Sequence, residues 1–67
     1  MFLKLTLANK DYAFQVVYVN SDLVQDFFSH DESPLFWRGT TLEMGRNDHI
    51  YVMQTPEEIL RCLPGGA

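Results

Sequence analysis

A chain of 67 residues with nine acidic side chains against five basic ones, a formal charge of −4 and one cysteine has room for a single compact domain (residues 1–67) and none for an internal disulfide. The acidity disfavours direct contact with nucleic-acid phosphates, and no apolar run reaches the length of a membrane span. With 46% hydrophobic and 13% aromatic residues, disorder of the whole is excluded, although so small a domain must rely on large side chains or on self-association for stability.

Residues Phe2 to Leu7 alternate, with Leu3, Leu5 and Leu7 on one side and Lys4 and Thr6 on the other, which predicts a half-buried strand. Asn9-Lys10-Asp11 supplies turn chemistry. Tyr12 to Val19, dense in aromatic and β-branched residues, predicts a second strand forming a hairpin with the first. Its faces are both apolar: Tyr12, Phe14, Val16 and Tyr18 on one, Ala13, Val17 and Val19 on the other. Such a strand is expected to be central or covered on both sides. Asn20-Ser21-Asp22 then ends the strand and caps a short helix, with Leu23, Val24, Phe27 and Phe28 on one face. The competing reading of this stretch is a bent strand through Val24 to Phe28.

Ser29 to Pro34 reads as a polar loop, and Leu35 to Met44 as a third strand broken or bulged at Gly39. Gly45-Arg46-Asn47-Asp48 is the next turn and Ile50 to Met53 the fourth strand. Thr55-Pro56-Glu57-Glu58 is a capping box with proline at the first helical position. Ile59, Leu60 and Leu63 give that helix its apolar stripe, and residues 64–67 form a flexible tail. The expected fold is α+β in the order β-β-α-β-β-α. It is either a small antiparallel four-stranded sheet with helices on one face, or a half-open barrel closed by the C-terminal helix.

No catalytic residue, cofactor site or metal site stands out, and the chain is expected not to be an enzyme. His30 lies beside Asp31 and Glu32, but neighbours on a loop do not converge on one point; a solvated loop is the simpler reading. His49 is expected to be exposed beside a turn. His30, His49 and Cys62 lack the spacing of a zinc site, and Cys62 lacks an evident base to activate it. Gly39 and Gly45 stand alone, so no glycine loop cradles a phosphate. The single cysteine, and an apolar start interrupted by Lys4 without a cleavage site, predict a cytoplasmic protein.

The aromatic residues and acids are more informative. Phe36 and Trp37 on a strand point to opposite faces, so one large aromatic is expected at the surface or under another chain. Arg38 beside them completes the usual make-up of an interface centre. Asp22, Asp26, Asp31 and Glu32 follow one another without an intervening lysine or arginine, which suits a basic partner surface. The candidate protein-binding residues are therefore Asp22, Asp26, Phe28, Asp31, Glu32, Phe36, Trp37 and Arg38. The expected function is a small acidic regulator or inhibitor that binds a protein, such as a basic, nucleic-acid-handling one. Small phage and mobile-element inhibitors of host machinery offer an analogy of size, acidity and aromatic content. The alternative is an accessory protein that assembles with copies of itself.

Three stretches also carry a family resemblance: Val19-Asn20-Ser21-Asp22-Leu23-Val24, Thr40-Thr41-Leu42-Glu43-Met44-Gly45, and Tyr51-Val52-Met53-Gln54-Thr55-Pro56-Glu57-Glu58-Ile59. They resemble the small flagellar/swarming FlbD/SwrD proteins, which have an Asn-Pro-Asp-Leu-Ile type motif, a threonine-rich strand and a Ser-Pro-Glu-Glu-Val helix start. Ser21 stands where that family has proline, and the Phe27 to Gly39 region is longer and more aromatic. The resemblance implies a cytoplasmic, non-enzymatic accessory protein.

Overall fold

The computed structural model describes residues 1–12, 14–45 and 47–63. The alternation of Phe2–Thr6 (β1) sends Leu3 and Leu5 into the core and leaves Phe2 and Lys4 in solvent. β1 pairs antiparallel with Val16–Asn20 (β2), setting Leu3 opposite Val19 and Leu5 opposite Val17. The expected hairpin is present, but its second strand starts later than predicted. Lys10–Tyr12 forms a 3-10 turn, and Phe14 takes a left-handed backbone (φ 63°) before the strand begins. The expectations for Ala13, Arg46 and the 64–67 tail lie outside the described residues.

A second sheet holds Asp26–His30 (β3), Gly39–Gly45 (β4) and Asp48–Val52 (β5), antiparallel and adjacent in that order. Phe27, Leu42 and Ile50 lie side by side across it, facing the core. Gly39 opens β4 so close to β5 that a Cβ there would overlap the Val52 carbonyl oxygen. Only glycine fits. Gly45, at φ 94°, makes the bulge that lets Glu43 pair with His49 and Gly45 with Asp48. Leu3, Leu5, Val19, Leu42, Val52 and Ile59 form one core between the sheets.

The sheets are stitched rather than continuous. Leu7 bridges Val52, Ala8 N–H donates to the Tyr51 carbonyl (2.8 Å), and Met53 N–H donates to the Thr6 carbonyl (2.8 Å). Gln54 reinforces the seam: its Oε1 accepts from Thr6 N–H at 3.0 Å, and its carbonyl accepts from the buried Thr40 hydroxyl at 2.6 Å. The C-terminal helix Pro56–Cys62 (α1) forms where expected. Glu58 N–H donates to Thr55 Oγ1 (3.2 Å) while the Glu58 carboxylate reaches back to Thr55 N–H. A helix this short is marginal by itself, and burial of Ile59 anchors it. Leu60, counted in the apolar stripe, is exposed instead.

The predicted four-stranded sheet or half-open barrel, with two helices in the order β-β-α-β-β-α, is therefore incorrect. Among the described residues, two separate sheets of two and three strands and one α-helix take its place. The error lies at residues 21–30. Asn20 does cap, accepting from Asp22 N–H at 3.0 Å, but it caps a single 3-10 turn, Ser21–Leu23. Val24 is then extended (ψ 117°), and the chain becomes β3. Pairing of Phe27 with Leu42 and Phe28 with Thr41 overrides the local helical pattern. The competing strand reading is the better one, but the strand begins at Asp26 rather than Val24 and runs on to His30. Two other expectations fail similarly. Only Gly39 onward of the third predicted strand is strand, and β2, expected to be central or covered, is an edge with Val16 and Tyr18 exposed.

Candidate functional site

The strand register places Asp26, Phe28 and His30 on the outward face of β3, beside Glu43, Thr41 and Tyr51. Segment 31–38 folds back over part of this face. Phe36 lies against Tyr51 with ring centroids 4.2 Å apart, and His30 stands edge-on to both. His30 Nε2 donates to the Trp37 carbonyl (2.8 Å), since a carbonyl can only accept. In the neutral ring Nδ1 then accepts from the Thr41 hydroxyl (3.0 Å). His30 is thus not part of a solvated loop; it ends β3 and pins the segment that follows. Backbone bonds complete the attachment, from Trp37 N–H to the Ala8 carbonyl (2.8 Å) and from Lys10 N–H to the Leu35 carbonyl (3.0 Å).

Trp37 lies outside any strand and makes its contacts away from that cluster, but it is not bare. Phe14 stacks on it at 6.5 Å with planes 6° apart, and Lys10 Nζ sits 4.5 Å from its ring centre. The same ammonium lies 3.2 Å from Glu32 Oε2, so Lys10 is held between an aromatic face and a carboxylate. Phe36 and Trp37 are both half-buried. Of the candidate rings Phe28, Phe36 and Trp37, the exposed one is Phe28, at 47%.

All four candidate acids are exposed. The fold, however, brings cations to three of them: the N-terminal amine to Asp22 (3.8 Å), Arg38 to Asp31 (3.9 Å) and Lys10 to Glu32 (3.2 Å). Pairs this open are screened by solvent and contribute little to stability. Asp26 has no ion-pair partner among the described residues; its Oδ1 accepts from Phe27 N–H at 2.8 Å. Asp26 and Phe28 therefore share one face, while Asp31, Glu32, Trp37 and Arg38 gather beyond one end of β3. Asp22 lies before the other end, beside the N-terminus. Sequence reasoning missed Lys10, Phe14, Thr41 and Tyr51. For Tyr51 the alternation along β5 was a usable signal; for Lys10 there was none.

An open groove of about 450 Å³ runs past His30, Asp31, Arg38, Thr55 and Glu57. Both nitrogens of His30 are hydrogen-bonded, to the Trp37 carbonyl and the Thr41 hydroxyl, which fixes the ring at one end of this groove. His49 bonds the Asn47 carbonyl and lies 3.5 Å from Glu43, while Cys62 is exposed near the end of α1. Among the described residues no three His, Cys, Asp or Glu side chains converge on a point that could hold a metal ion, and no helix is long and apolar enough to cross a membrane. Comparison of the chain with protein-family models, with curated proteins and with solved structures finds no match.

Proposed function

We propose that this is a small cytoplasmic protein that regulates or inhibits another protein by binding it through the outward side of β3 and segment 31–38. The observation that carries the reading is Phe28, a large ring half in solvent at the middle of a strand. Asp26 shares its face, and Asp31, Glu32 and Arg38 lie beyond the strand end. An apolar anchor rimmed by charge is the anatomy of an interface centre. β3 is also the edge strand of its sheet. Acids along such an edge suit a basic surface with an apolar recess, as on proteins that handle nucleic acids. Phe36 and Trp37 act by position: they hold the 31–38 segment, and through Lys10 the Glu32 carboxylate, in place.

The test is capture of a partner from the source cell by the intact chain, compared with Phe28→Ala, Trp37→Ala, and Asp22 and Asp26 changed to Asn. A partner that is lost with Phe28→Ala, and whose binding weakens as salt rises, supports the proposal. Retention by every variant, or indifference to ionic strength, defeats it. A Trp37→Ala variant that only melts earlier, with binding intact, removes Trp37 from the site.

A further inference from the structure

Phe2, Val16 and Tyr18 share the outward face of the β1–β2 sheet, with 66%, 44% and 67% of their surface in solvent. β2 is the edge of that sheet. Its hydrogen-bond phase follows from the flanking bonds, Ser21 N–H to the Met1 carbonyl and Leu7 N–H to the Gln15 carbonyl, both 2.8 Å. Val17 and Val19 therefore turn their backbone groups toward β1, and Val16, Tyr18 and Asn20 turn theirs outward. Among the described residues nothing pairs with these outward groups. Edge strands are ordinarily protected from pairing by charge. β3 has that protection in Asp26 and the adjoining Asp31 and Glu32. β2 does not: Tyr12 to Ser21 is the longest stretch of the chain without an acidic or basic side chain.

We propose that β2 pairs antiparallel with β2 of a second copy of this chain, about a twofold axis at Tyr18, joining the two hairpins into one four-stranded sheet. The occupant follows from symmetry and charge. The outward groups are disposed evenly about Tyr18, so Val16 of one copy meets Asn20 of the other and Tyr18 meets its own counterpart. Continuing the register sets Asp22 opposite Phe14, so no acid faces an acid across the seam although each copy carries −4. The exposed Val16 and Tyr18 of both copies then line the seam, flanked on each side by Phe2, Lys4 and Thr6 of β1. This surface is separate from the outward face of β3, and the two respond oppositely to salt. Screening relieves repulsion between two acidic copies and strengthens this contact, whereas it weakens binding to a basic partner.

The experiment is sedimentation velocity on the full chain across a concentration series at low and high salt. The expected result is a monomer–dimer equilibrium that tightens with salt. Tyr18→Glu is the decisive variant. Within the hairpin its carboxylate faces Lys4, a favourable pair, but across the seam it faces its own copy. It should weaken dimerisation at least about tenfold and leave the circular dichroism of the monomer unchanged. Tyr18→Phe and, on the other edge strand, Phe28→Glu should leave the dimer intact. Should Tyr18→Glu disturb the fold, Val16→Glu, which faces Thr6 within the hairpin and adds an acid near the other copy's Asp22 across the seam, takes its place. A chain that stays monomeric to millimolar concentration overturns the proposal. So does a dimer that survives both β2 variants, a dimer lost with Phe28→Glu instead, or a β2 edge that captures only a foreign strand.

Discussion

The outward faces of the two sheets are built from similar residues and end in opposite states. On the β3–β4–β5 sheet, Thr41 is buried, and Tyr51 and His30 are half-buried beneath Phe36 and the rest of segment 31–38. On the β1–β2 sheet, Phe2, Val16 and Tyr18 stand in water, because among the described residues no segment crosses them. Aromatic and β-branched content makes a strand; it does not say whether a covering segment will arrive. The cover needs attachment points, and it finds them in the His30 side chain at the end of β3 and in the Ala8 carbonyl and Lys10 N–H of the stretch that follows β1.

Four substitutions, with Phe2→Ala as a reference on the bare face, probe this difference in order of falling effect. Gly39→Ala strikes where the covering segment re-enters the sheet, and the added methyl would collide with the Val52 carbonyl. It should destabilise by about 3 kcal/mol or more, read by denaturant titration, because backbone on both sides must move. Tyr51→Ala on the covered face should cost about 2–4 kcal/mol, against about 0.5 kcal/mol for Phe2→Ala on the bare one. Equal losses at the two sites would erase the distinction between the faces. His30→Phe keeps a ring against Tyr51 and Phe36 but leaves the Trp37 carbonyl and Thr41 hydroxyl without their partner. It should cost about 1–3 kcal/mol and speed amide exchange across residues 33–37. Lys10→Met should change stability by only about 0.5–1 kcal/mol, while shifting the fluorescence of Trp37, the chain's single tryptophan.

The same contrast explains what could be read before the fold was known. The helix at Pro56–Cys62 was legible because its signals are local: Thr55, Pro56 and Glu58 satisfy the first amides among themselves. So was β1, whose leucines alternate without interruption. The candidate site was legible only in part. Phe28 and the four acids are at the surface, but Lys10, Arg38 and the N-terminal amine reach three of those acids only through the fold.

By itself, then, the sequence determined a small α+β domain with an N-terminal hairpin, a capped C-terminal helix and more large aromatic residues than one core can hold. Tertiary structure decided the rest. Residues 21–30 carry a helix cap and a helical spacing of apolar residues, and they still form a turn and a strand. Phe27 and Phe28 gain a full ladder against Leu42 and Thr41, whereas an isolated short helix would gain a few hydrogen bonds after a costly nucleation. Which aromatic rings stay in water was settled in the same way, by where segment 31–38 found its anchors.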